Sequence, residues 1–259
     1  MRRELHAEWT KLRTTRGTGG LLLGIIALTL AVSAAAVASV SCPEAGCAYD
    51  TTRISLFGVQ VGQAIVAVLA VLAITGEYGT GMIRTTLTAM PRRVAVLAAK
   101  AAVLTGLTLA AGTLAVLASV LAGRLILPGN GFTAAHGHPL MSLADGPTLR
   151  AAAGSVLYLA LIGLLSLGVA TAVRESAAAI AVVLGLLYLF PIIITLVVSG
   201  QDWQRLLWQI SPTNAGLTIQ ATTRLSSLPL SPWAGLGVLA GWAAAALLGG
   251  GLLLSRRDA

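Results

Sequence analysis

Apolar residues in this chain fall into long unbroken runs, not into the alternation of a half-buried strand or the single stripe of a water-soluble helix. Six stretches lack Asp, Glu, Lys and Arg altogether: Gly17 to Pro43, Ile54 to Gly76, Ala101 to Gly123, Ala151 to Val173, Ser176 to Gln201 and Leu225 to Ser255. A charged side chain at a bilayer centre costs about 2.5 to 3.5 kcal/mol on insertion scales, so charge-free runs mark membrane spans. About 20 residues rising 1.5 Å each cross the ~30 Å hydrocarbon layer, and every one of these runs is long enough. The run from Leu125 to Ala144 is also free of those charges, but Pro128, Gly129, Asn130, Gly131, His136, His138 and Pro139 make it a loop.

The pattern predicts an all-α integral membrane protein forming one transmembrane domain over 1–259. Its six transmembrane helices are expected at about 20–41, 55–75, 101–123, 151–173, 177–199 and 234–254. The connections are then 76–100 on the side of the termini and 42–54, 124–150 and 200–233 on the other. Composition supports this class: 56% of residues are hydrophobic and 10% charged, against about 25% charged in soluble domains. Only 5% are aromatic, and the unbroken runs differ from the dyad repeat of a membrane β-barrel. No block of about 100 residues remains for a second, soluble core.

Charge sets the orientation. With the N-terminus inside, twelve of the 17 basic residues fall on cytoplasmic segments, and Arg53, Arg124, Arg150, Arg205 and Arg224 on outer ones. The positive-inside rule then places both termini in the cytoplasm. Most of the net charge of +8 therefore reads as topology and contact with anionic lipid, not as a nucleic-acid site. An uncleaved first span is expected in place of a signal peptide, because its apolar run exceeds an h-region of about 7 to 15 residues.

Two cytoplasmic elements are patterned. In the segment 2–16, Leu5, Trp9 and Leu12 recur at i, i+4 and i+7, which predicts an amphipathic interfacial helix with Trp9 at headgroup depth and Arg3, Glu4, Glu8 and Lys11 on its other faces. After the second span, Ile83, Leu87 and Met90 keep helical spacing behind Gly76, Gly79 and Gly81, and Pro91 ends the run before Arg92 and Arg93. A short exposed helix there suits another protein's groove. The plainer alternatives are a basic anchor and a solvated loop.

Glu77, Gly81, Leu87 and Pro91, followed by Arg92 and Arg93, resemble the region after the second span in permease subunits of type-2 ATP-binding-cassette exporters. Glu8-Trp9-x-Lys11-Leu12-Arg13 resembles the interfacial helix of the half-size, six-span bacterial branch. Pro212-Thr213-Asn214-Ala215-Gly216 and the ending Arg256-Arg257-Asp258 are similar to that branch too. The resemblance implies a bacterial plasma-membrane protein whose ATP is bound by a separate cytoplasmic ABC ATPase, with a second permease copy or paralogue completing the pathway. Glu77, Tyr78, Gly81, Ile83, Arg84, Leu87, Pro91, Arg92 and Arg93 would then form the ATPase-coupling element. In keeping with this, the chain has no Gly-x-x-x-x-Gly-Lys-Ser/Thr phosphate loop of its own. No catalytic, cofactor or metal site is expected within it.

The remaining signals are local. Cys42 and Cys47 lie in one outer loop and make a disulfide plausible on an oxidising face. His136 and His138 read as loop residues. Gln60 and Gln63 either line a path or lie at the outer border of the second span, and depth favours the border. Pro191 predicts a kink in the fifth span. Gly20-x-x-x-Gly24 and Gly237-x-x-x-Gly241 permit close helix approach. Trp203, Leu206, Leu207 and Ile210 predict an amphipathic helix on the outer face, and the family resemblance implies that this region re-enters the membrane. The expected function is export of a hydrophobic or amphipathic drug, lipid or peptide. The alternative is a non-transporting scaffold or immunity protein that binds a partner or peptide.

Overall fold

A computed structural model describes residues 7–11, 16–43, 47–82, 93–197 and 200–256. Its regular structure is entirely helical among the described residues. In chain order the elements are α1 (Arg16–Ala38), the short α2 (Thr51–Ser55), α3 (Val59–Gly79), α4 (Arg93–Ile126) and α5 (Gly146–Val173). Then come α6 (Ser176–Leu184), which runs through a π turn at Gly185–Leu189 into α7 (Phe190–Val197), and α8 (Gln201–Ile210), α9 (Pro212–Leu217) and α10 (Pro232–Arg256). Residues 7–11 are also helical. Six helices are long and apolar enough to cross a membrane: Gly17–Ala38, Val59–Gly79, Arg93–Asn130, Gly146–Val173, Ser176–Val197 and Pro232–Arg256.

Helix α5 is the centre of the bundle, packed against α10, α3, α4 and α6. Its contact with α10 is made backbone to backbone. A Cβ on Gly168 would lie 2.4 Å from the Ala246 carbonyl carbon, and one on Gly250 would lie 2.6 Å from the Gly168 oxygen. The two Gly-x-x-x-Gly pairs do not supply such contacts: Gly20, Gly237 and Gly241 face open space, and Gly24 meets only Ile65 at ordinary distance. Small residues serve helix packing where neighbours close in on them, and spacing alone does not reveal that.

The connection ahead of α10 is the least expected part of the fold. The amphipathic α8 has no buried residue, and Trp203 is 66% exposed. It is the next segment that goes inward. Pro212, Thr213, Ala215, Gly216, Thr218, Ile219, Gln220 and Ala221 are buried between α5 and α10. Ser211 caps this turn by accepting from the Asn214 N–H, and Pro212 stands at the first helical position, where its missing N–H costs nothing. Gly154 and Gly235 leave the space: a Cβ at either would lie 2.0 Å from Ile219 or from the Ala215 oxygen.

This inserted segment also explains the fifth span. Pro191 has no N–H to offer the carbonyl of Leu187 four residues back. Thr213 Oγ1 donates to that oxygen instead, at 2.9 Å. The π turn directly before Phe190 is where the helix absorbs the fault, as π turns do. The Pro191 feature is thus a helix fault braced by the inserted segment.

Candidate functional site

The helix α3 runs to Gly79 and α4 begins at Arg93, so both extend past the charge-free stretches into residues that carry charge. They can do so because those charges meet each other. Glu77 lies in the last turn of α3 and Lys100 in the second turn of α4, and the Lys100 ammonium donates to Glu77 Oε1 at 2.6 Å. It also donates to Glu8 Oε2 at 2.7 Å and to the Ala73 carbonyl at 3.1 Å, which uses all three of its N–H groups. Lys11 Nζ completes the cluster, 3.1 Å from Glu8 Oε1 and 2.9 Å from Glu77 Oε1.

Three members are nearly inaccessible: Glu8 is 1% exposed, Lys100 3% and Glu77 7%. Ionised groups at that burial persist only when paired and hydrogen-bonded, and here two carboxylates face two ammoniums. Lys11 is the outermost. Burial pulls its pKa down, but the hydrogen bond and charge of Glu77 with the charge of Glu8 outweigh this and leave it above the ordinary 10.5. Glu77 Oε2 is the one carboxylate oxygen of the cluster that is buried and accepts no hydrogen bond from a described residue.

Around Glu77 the end of α3 is held on further sides. Arg174, in a left-handed conformation at the end of α5, places its guanidinium 5.4 Å from the centre of the Tyr78 ring. Ser176 Oγ donates to Thr75 Oγ1 at 2.8 Å. Glu175 caps α6, and the N–H groups of Ala178 and Ala177 hold its carboxyl below the usual range. At the start of α4, Arg93 donates to the Leu254 carbonyl of α10 at 3.0 Å, satisfying a helix-end acceptor. The two helices that bracket residues 80–92 are therefore tied to the N-terminal segment, to α5 and α6, and to α10. They share few direct packing contacts, because α1 and α5 each lie against both.

Beside the cluster is a cavity of about 390 Å³. It is lined by the charged Glu8, Lys11, Glu77 and Lys100 and by the apolar Leu21, Leu69 and Leu72.

Of the residues expected to couple to a partner, Glu77, Tyr78, Gly81 and Arg93 are described, and Glu77 and Tyr78 face into the bundle. Gly81 adopts a left-handed φ of 71°, ending the helix. Ile83, Arg84, Leu87, Pro91 and Arg92 lie outside the described residues, as do Leu5 and Leu12 of the interfacial helix. Trp9 is 46% exposed while Glu8 beside it is buried, so the charged face of that segment docks on the bundle.

The opposite end of the bundle holds the connections expected to face outward. Cys42 and Cys47 are joined as a disulfide with Cα atoms 5.9 Å apart. His138 Nε2 contacts the Cys47 carbonyl at 2.9 Å and His136 Nδ1 the Gly131 carbonyl at 2.8 Å, so both rings bind loop backbone. His138 also lies close to the two sulfurs. Asp50 caps α2 through the Arg53 N–H at 3.1 Å and reaches across to Thr222, accepting from its N–H at 2.6 Å and its hydroxyl at 2.7 Å. Gln63, near the start of α3, is wholly buried against neighbouring helices and accepts from the Tyr158 hydroxyl.

Sequence reasoning placed Glu77 correctly at the edge of a span but missed its partners Glu8, Lys11 and Lys100. A signal existed. The chain has only two lysines, and Lys100 sits immediately before the third charge-free stretch just as Glu77 sits immediately after the second. No protein-family model matches the sequence, and no curated protein sequence matches it.

Proposed function

We propose that the chain is the membrane-embedded permease subunit of an ATP-driven exporter. It lies in a bacterial plasma membrane with both termini in the cytoplasm, works as a pair of permease subunits, and is driven by a separate cytoplasmic ATPase seated on the segment from Glu77 to Arg93. The observation that carries this reading is the anchoring of both stems of that segment. A force applied to it moves α3 through Thr75, Glu77 and Tyr78 and α4 through Arg93 and Lys100. Those contacts pass the motion to α1, α5, α6 and α10, as a rigid coupling knob requires. The scarcity of direct contact between α3 and α4 lets them tilt relative to one another once the charge cluster rearranges. The substrate is apolar or amphipathic, in keeping with spans whose central turns carry no charged residue.

The test is purification of the tagged chain from its native membranes, followed by reconstitution with whatever ABC ATPase accompanies it. A stoichiometric ATPase is expected, with ATP-dependent movement of a lipophilic probe across the vesicle wall. Truncating Ile83 and Leu87 to Ala should release the ATPase or uncouple its activity. If the truncated chain keeps an unaltered ATPase, the coupling assignment fails. If no ATPase accompanies the wild-type chain, the scaffold reading replaces the transport reading.

A further inference from the structure

We propose that the cavity beside the charge cluster binds the headgroup of a zwitterionic aminophospholipid, a primary ammonium on Glu77 and a phosphate at Lys11. This inference uses the membrane placement of the helices and is independent of the transport reading.

The hydrogen-bond accounting leads to it. Lys100 spends its three donors on Glu8, Glu77 and Ala73. Glu8 receives Lys100 on one oxygen and Lys11 on the other, and Glu77 Oε1 receives both lysines. Glu77 Oε2 remains, in a side chain that lines the cavity and is more than nine-tenths buried. A buried carboxylate oxygen calls for an N–H or O–H donor. A primary ammonium supplies one; a quaternary ammonium does not.

Charge and shape narrow the ligand further. Among the described residues two carboxylates face two ammoniums, so a neutral zwitterion adds no net charge to them, where a net anion or cation would. Lys11 is the most exposed of the four, with its side chain 30% accessible, and stands where a phosphate enters. Leu21, Leu69 and Leu72 give the lining its apolar part, and Leu72 is exposed at the surface of the bundle. An acyl chain leaving the headgroup has those side chains to follow. At about 390 Å³ the cavity is within the range of small-ligand sites.

The experiment uses the purified full-length chain, stripped of lipid in detergent. It is offered equal amounts of dioleoyl phosphatidylethanolamine, phosphatidylcholine and phosphatidylglycerol and read by native mass spectrometry. The expected result is retention of the ethanolamine lipid about tenfold over the choline lipid, the scale of one charge-assisted hydrogen bond. Glu77→Gln should abolish that preference and raise retention of the anionic glycerol lipid, because the cluster then carries an excess ammonium. Asp50→Asn, at the other end of the bundle, should keep the wild-type preference. Soluble phosphoethanolamine should fail to displace the lipid. Equal retention of ethanolamine and choline lipids by the wild type would overturn the proposal, and so would an intact preference in Glu77→Gln. Displacement by phosphoethanolamine at matching concentration would reassign the cavity to a soluble ligand. If Glu77→Gln does not remain monodisperse, the wild type decides alone with the mono-, di- and trimethylated ethanolamine lipids, whose retention should fall as N–H donors are lost.

Discussion

The two ends of the bundle handle carboxylates in opposite ways. At the end where residues 7–11 dock, Glu8 and Glu77 are nearly sealed away from solvent and meet the ammoniums of Lys11 and Lys100. At the other end, Asp50 keeps partial contact with solvent and is satisfied by neutral donors, the Arg53 N–H, the Thr222 N–H and hydroxyl, and the Thr223 N–H at 3.1 Å. Full burial demands an opposite charge, because desolvation of an ion exceeds what neutral dipoles return. Partial exposure does not. A cluster of the first kind joins three segments through a few atoms and responds strongly to loss of one member, whereas the second kind behaves as a loop clasp. The end with the sensitive arrangement is the end that brackets residues 80–92.

Deleting one charge from each end breaks this comparison most directly. Lys100→Met leaves two carboxylates buried against Lys11 alone and is expected to lower stability by about 3 to 5 kcal/mol, the cost of an orphaned buried charge. Thermal unfolding of the detergent-solubilised protein measures it. Adding Glu77→Gln to Lys100→Met should recover most of that loss, because Glu8 and Lys11 then pair by themselves; a strictly additive double variant would show that the residues are not coupled. Breaking the disulfide with Cys42→Ser acts mainly on the unfolded chain, and a loop this short implies about 2 kcal/mol at most.

Asp50→Asn comes next, at about 1 kcal/mol for a lost helix cap and weakened hydrogen bonds. A loss as large as that of Lys100→Met would erase the distinction between the ends. The smallest effect concerns alkaline pH. The Lys11 pKa is raised in the folded state, so its contribution is complete below the ordinary value of 10.5 and is lost as pH rises through the folded value. Unfolding midpoints of the wild type and Lys11→Met should therefore converge above pH 10.5. A constant gap across that range would remove Lys11 from the cluster.

The spans were legible because hydrocarbon excludes charge, and a run of 23 or more residues without it can be counted in the sequence. The end of the second span was legible in part, since Glu77 lies in the last turn of α3 and Gly81 just beyond it with a left-handed φ. Its partners were not. Glu8 lies on the polar face of an amphipathic segment, and the pattern of Leu5, Trp9 and Leu12 assigns that face to water. The structure turns it against α3 and α4, where the Glu8 carboxylate adds a second partner to the Lys100 ammonium that Glu77 already holds. The inserted segment after Ser211 escaped notice for a different reason. Its residues are small and hydroxylated, neither apolar enough for a span nor polar enough for a loop, and only the hollow left by Gly154 and Gly235 makes them core.

What the sequence determines by itself is the number of apolar helices and the positions where charge interrupts them, because both follow from transfer energies that act residue by residue. Which charges meet was decided by the tertiary structure. Glu8 and Lys100 are 92 positions apart, and no local rule relates them; their pairing exists only because the fold brings the N-terminal segment to the start of α4. The same holds for Thr213 and Leu187, whose hydrogen bond compensates for a proline that sequence alone could identify only as a fault.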